Sequence, residues 1–309
     1  MRGNLALKAI FTVTLLVTCG WAATEKTLHN FGLSGTDGQS SSAALVSDSA
    51  GNLYGTTAKG GAAGVGTVFE TSPNGSGGWT TKLLWSFGVV QDDGQGPLAG
   101  LVFDAAGNLY GTTNNGGTTL SGTVFELSPD ASGGWTEKVI HHFQVQGHEQ
   151  DGKNPMAGLI FDAAGNLYGT TYNGGTAIEG TAFELSPNGG GGWTEKVIHN
   201  FFVNFHVNDG ENPASGLIFD AAGNLYGTTY HGGSTGHGAV FELSPNGGGG
   251  WTQKLLHSFQ VGGNQNDGAN PQAGLISDSA GNLYGTTTMG GTSDMGGSGG
   301  VGTVFEVMP

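Results

Sequence analysis

Cysteine is almost missing from this chain: Cys19 is the only one in 309 residues. Disulfides therefore cannot hold the fold, and a chain of this length must rely on its core. Basic residues are also scarce, with 9 Lys and Arg against 24 Asp and Glu. That balance argues against nucleic acid and anionic membrane surfaces as partners, because both need a positive field. The apolar run at residues 9–18 is too short and wrongly flanked for a stable membrane span, and no other segment could span a bilayer. No helical period stands out after that point, so helices are not expected. Nucleophile elbows, phosphate loops, dinucleotide fingerprints and zinc-ligand spacings are all missing. The glycine-rich strings lead into no helix, so they cannot offer a helix N-terminus to a phosphate.

The first residues read as a secretory leader. Arg2 and Lys8 precede the uncharged residues 9–18, and Gly20-Trp21-Ala22 supplies small residues for cleavage. Residues 1–22 are assigned as a signal peptide and 23–309 as the mature domain. Cleavage leaves seven basic residues against 24 acidic ones, a net charge of −17. A lipoprotein leader is the alternative, with Cys19 lipidated behind the unfavourable Thr18. The chain is therefore expected to be secreted, periplasmic or at the cell surface.

What the chain has in abundance is glycine, 62 residues, placed at fixed points between apolar runs. Gly-Asn-Leu-Tyr-Gly-Thr-Thr occurs five times, starting at Gly51, Gly107, Gly165, Gly223 and Gly281. A spacing of 56 to 58 residues points to a propeller, a solenoid or an array. Within the third unit, residues 156–162, 166–171, 181–186 and 193–201 read as four short strands rich in aromatic and β-branched residues. Asp162 and Gly165 suit a tight hairpin turn, and Pro187 ends the third strand. Small residues open each first strand, and Trp79, Trp135, Trp193 and Trp251 open the fourth strands. This gradient suits radial blades.

The termini sharpen the prediction. Residues 25–31 have the sequence of a fourth strand with no earlier strands before it. The last unit ends with its third strand at 302–306. An all-β, five-bladed propeller with four antiparallel strands per blade follows, closed by 25–31 pairing beside 302–308. Closure would remove two unpaired edges and leave a monomer.

The ordered series Gly-Thr-Val-Phe-Glu-Leu, His-x-Phe, Asp-Gly-x-x-Pro and Asp-x-x-Gly-Asn-Leu-Tyr-Gly-Thr-Thr resembles the GloVer (Gloeo/Verruco) tandem repeat of bacterial surface and secreted proteins. It covers essentially all of residues 25–309. The resemblance implies an extracellular propeller-like fold and no particular catalysis.

Residues that recur in every unit are expected to be scaffold, whereas a single active centre should break the repeat. Asp48, Asp104, Asp162, Asp220 and Asp278 are assigned to turns. The Glu series from Glu70 to Glu306 and the Lys series from Lys26 to Lys254 are assigned to surface strands or ion pairs. His29, His141, His199 and His257 share one position that is Trp85 in another unit, so they read as packed rings rather than metal ligands. The Asp-Gly pairs at 37, 93, 151, 209 and 267 are assigned to turns, with calcium as a minor alternative. No cofactor is expected.

The loops after the second and fourth strands are expected to share one rim and to vary most. Their non-repeating residues are Asn114, Asn115, His148, Glu149, Tyr172, Asn173, Phe202, Phe205, His206, Tyr230, His231 and His237. Aromatic faces and amides suit a sugar or peptide ligand. The expected function is a non-enzymatic binding or scaffold module whose partner is an extracellular polysaccharide or a cell-surface protein. A lectin is one alternative. A glycoside hydrolase or lyase is the other, and it would need unlike carboxylates such as Asp92, Glu149, Glu179, Glu211 and Asp294 to converge.

Overall fold

The computed structural model describes residues 25–32, 36–144, 150–202, 209–260, 267–291 and 300–309, and all its regular elements are strands. Four repeat units are complete antiparallel meanders. In the third unit the order is Ile160–Phe161, Leu167–Thr171, Thr181–Pro187, Trp193–Asn200. The fifth unit has three of these strands, Ile276–Ser277, Leu283–Gly290 and Thr303–Val307. The expected first strands were too long; only two residues of each are paired with the second strand.

Each residue of the repeated heptapeptide has its own task. In the third unit Gly165 turns the chain with φ +87°. Asn166 gives its backbone N–H and its side-chain amide to the two oxygens of Asp162, at 2.9 and 2.8 Å. Leu167 is fully buried. Tyr168 donates its hydroxyl to Asp162 at 3.2 Å and turns its ring edge to Phe219 and Trp251 of the next unit. Gly169 lies beneath Phe183; a Cβ there would stand 2.6 Å from the ring, so no larger residue fits. Thr170 donates to the carbonyl of Ser215 in the next unit, and Thr171 bonds the hydroxyl of Thr181 at 2.8 Å. The turn reading of the Asp series therefore holds.

The core lies between units. Phe87, Phe143, Phe201 and Phe259 follow the fourth strands and are fully buried. Each meets a third-strand ring of the next unit edge-on, the centroids 5.0 to 5.3 Å apart. Four apolar clusters result, one for each junction between consecutive units. A bulge between third and fourth strands, as at Val124/Phe125 opposite 139–141, changes the facing of the following residues.

One expectation is revised and another is narrowed to one of its alternatives. Among the described residues Thr303–Val307 pairs with Leu283–Gly290 alone, and residues 25–30 belong to no ladder. Among the described residues the expected pairing of 25–31 with 302–308 is not formed and no sheet closes into a ring, so the repeated four-stranded sheets stand without confirming five blades in a ring. The Lys and Glu series form one ion pair among the described residues, Lys254–Glu242 at 3.7 Å. The lysines instead cross to the next unit, as Lys82 does to the carbonyl of Gly133 at 2.7 Å. Their long stems span the junction, and the turn carbonyls there point outward without a ladder partner.

Candidate functional site

The loops after the second and fourth strands do share a rim. Residues just after each Asp-Gly pair bond to the end of the second strand, setting Gln39 opposite Lys59, Gln95 opposite Asn115, Glu211 opposite His231 and Ala269 opposite Met289. Lys153 and Asn173 form the equivalent bridge. One cross-strand pair per unit thus occupies a fixed place with different chemistry each time.

The frame beneath these pairs is constant. Asp151 accepts from the backbone of Gln144 at 2.8 Å and meets His141 Nε2 at 3.1 Å, and His141 turns edge-on to Phe143. The same His–Asp contact recurs at His29–Asp37, His199–Asp209 and His257–Asp267. The packed-ring reading of these histidines was right but incomplete, because the ring also ties the loop to the strand. Among the described residues no group of three or more His, Cys, Asp or Glu side chains is arranged to hold a metal ion.

A clip that the sequence reading missed joins each unit to the next. Asn154, Asn212 and Asn270 adopt φ +55°, +57° and +56°. Each donates its backbone N–H to the previous unit, to the carbonyls of Ser121, Glu179 and His237 at 2.7, 2.7 and 2.8 Å. Each also donates its side-chain amide to Asn114, Tyr172 or Tyr230 backbone oxygen at 2.9 Å. The proline that follows packs on a glycine of the previous unit, as Pro213 does on Gly180. The signal was the Asn-Pro dipeptide, since Asn tolerates the left-handed region and Pro follows turns. Gly96-Pro97 is the same clip without the side chain.

Asn212→Ala is expected to lower stability by about 1–3 kcal/mol, through the lost bond and the strained positive φ. Asn212→Gly is expected to cost less, because glycine keeps the conformation. Urea midpoints for the two variants check that order.

The clips decide where the rim candidates lie. Asn114, Tyr172 and Tyr230 hold equivalent places, each offering its carbonyl to the clip. Asn115 and Asn173 both bond the side chain of Asn154, at 3.4 and 3.2 Å. Tyr230 and His231 stack edge-on with centroids 4.5 Å apart. His148, Glu149, Phe205 and His206 lie outside the described residues, as do Asp294 of the carboxylate set and the leader.

The junction of the third and fourth units gathers the most unlike groups. Asn212 bonds the carbonyls of both Tyr172 and Glu179, Glu211 is its chain neighbour, and His231 stands across the ladder from Glu211. Burial, then the Glu179 charge, raises the Glu211 carboxyl above its ordinary value. Burial, then Tyr230 and Glu179, raises Tyr172. Two of the five non-repeating carboxylates therefore come together, Glu179 and Glu211, beside two tyrosines and a histidine. All five of these residues are half-buried.

The family model described as the Gloeobacter/Verrucomicrobia repeat matches residues 10–159 and 130–309. No curated protein matches. Among solved structures, a protein of unknown function from Dyadobacter fermentans DSM 18053 is similar at 12% identity and a TM-score of 0.45, over 78% of this chain and 73% of that one.

Proposed function

This chain belongs to the Gloeobacter/Verrucomicrobia repeat family, and from that footing we propose that it is a non-enzymatic, propeller-like binding or scaffold module working outside the cell. One observation carries the reading: each unit presents a different side-chain pair on the same rim frame, from Gln95 and Asn115 to Glu211 and His231. A constant frame with changing side chains is how a repeat protein varies its contacts without altering its fold. The leader-like N-terminus supports export. The described residues contain no helix long and apolar enough to cross a membrane.

The rim chemistry favours a polysaccharide as the ligand. Tyr172 and Tyr230 supply aromatic faces, and Asn114, Asn115 and Asn173 supply amides on the neighbouring junction. Sugars are recognised by that combination of apolar face and directional polar groups. A glycan and polysaccharide array on the protein should give binding to at least one neutral or amino polysaccharide. Tyr172→Ala with Tyr230→Ala should weaken it about tenfold or more, equivalent to about 1.4 kcal/mol or more. No binding across the array would remove the polysaccharide reading. Release of reducing ends that stops in Glu211→Gln would replace the module with an enzyme.

A further inference from the structure

Among the described residues the fifth unit has an unpaired strand edge, and the first unit holds a segment with the sequence of the strand that would pair it. In the first four units the third strand pairs with a fourth, whereas Thr303–Val307 is paired on one side only. Val304 is 82% exposed, while Val68, Val124, Ala182 and Val240 at the same place are at 0%. Tyr54, Tyr110 and Tyr168 each meet a tryptophan from the next unit's fourth strand. Tyr226 instead borders a cavity of about 630 Å³, lined also by Ser277, Leu283 and Pro309.

The first unit shows the complementary face. Leu45 is 52% exposed, where Leu101, Leu159, Leu217 and Leu275 are at 8% or less. Residues 25–32 rest on this unit just as a fourth strand rests on the unit after it. Phe31 meets Phe69 edge-on at 4.9 Å, as Phe87 meets Phe125 at 5.0 Å. Lys26 donates to the Gly77 carbonyl, as Lys82 does to Gly133. His29 bonds Asp37 at 3.2 Å.

We propose that the free edge of Thr303–Val307 is completed by residues 25–31 of a second copy of this chain. The register follows from the internal units, where Glu126 faces Lys138, Val124 faces His141 and Thr123 faces His142. It sets Glu306 opposite Lys26, Val304 opposite His29 and Thr303 opposite Asn30, an arrangement complementary in both shape and charge. A chain's own 25–32 are already held on its first unit and join no strand of its fifth. The partner therefore brings its N-terminal segment and its first unit together, adding one further junction like the four inside the chain. Such a contact is heterologous and leaves a new free edge at the far end, so it propagates. The single-chain ring expected from the sequence gives way to head-to-tail association.

The test uses the full chain with Cys19→Ser. Light scattering should show a mass that rises from one chain to two or more between about 1 and 100 µM, as mass action requires. Asn30→Cys and Thr303→Cys, made in separate chains and mixed under oxidising conditions, should form an inter-chain disulfide. Val304→Lys should keep the same far-UV spectrum, since that side chain is exposed, and shift association to at least tenfold higher concentration. Any of three results overturns the proposal. One is a single-chain mass throughout, including an internal disulfide in the Asn30→Cys/Thr303→Cys double variant. The others are association with no mixed disulfide, or association that Val304→Lys leaves unchanged.

Discussion

Phe183→Ala is expected to lower stability by about 3–5 kcal/mol, the range for emptying a fully buried aromatic site. Phe183 is wholly inaccessible and lies over Gly169, with Phe143 of the previous unit against its edge at 5.3 Å. Neither neighbour can fill the space. Gly169 has no side chain, and Phe143 is fixed by its own burial. The loss should fall on the junction between the second and third units rather than on the whole array, because each unit contacts only its neighbours. Hydrogen exchange should therefore show amides of those two units losing protection first, while Leu225–Gly232 and its partners in the fourth unit keep more of theirs. A uniform loss across all units would mean that the junctions act as one cooperative body.

Stability should fall as pH rises, and two glutamates should cause most of the fall. Burial, followed by the Asp93 charge, pushes Glu137 up to about 8. Burial, followed by Asp151, pushes Glu195 up to about 8. One oxygen of each is buried and has no hydrogen-bond partner, which disfavours the charged form. The folded state then holds protons that the unfolded state releases near pH 4.5. The stabilisation from these two groups is complete below about pH 4.5 and is lost as pH climbs through about 8. Glu137→Gln with Glu195→Gln should flatten this part of the profile and raise the melting temperature at pH 9 by on the order of 5 °C. Melts from pH 4 to pH 9 check it; parallel curves for the two proteins would show that the carboxylates are solvated.

The strand content, the repeat and the scaffold role of the Asp series were all legible before any coordinates. Hairpin turns and two-residue alternation are local, and a motif copied five times averages out local accidents. The common rim was legible too, because connection lengths place those loops at one end of each meander. The Asn-Pro clip was hidden, although both residues were in plain view, because its partners lie about 40 residues away in another unit. The convergence of Glu179 and Glu211 was hidden for the same reason. Each reads alone as a break in the repeat, but only the Asn212 clip, whose backbone N–H bonds the Glu179 carbonyl, brings them to one junction.

By itself, then, the sequence determined the unit: its short strands in order, where they turn and which residues recur as scaffold. Those choices are made within about 58 residues by sterics, turn geometry and apolar alternation, and each copy repeats them. Tertiary structure alone decided how the units meet, which carboxylates become neighbours and whether the first and last units touch. These depend on the packing of Phe, Tyr, Trp and Pro and on hydrogen bonds across each junction, between residues far apart in the chain. No short-range pattern encodes such contacts, and among the described residues the expected pairing of 25–31 with 302–308 is not made.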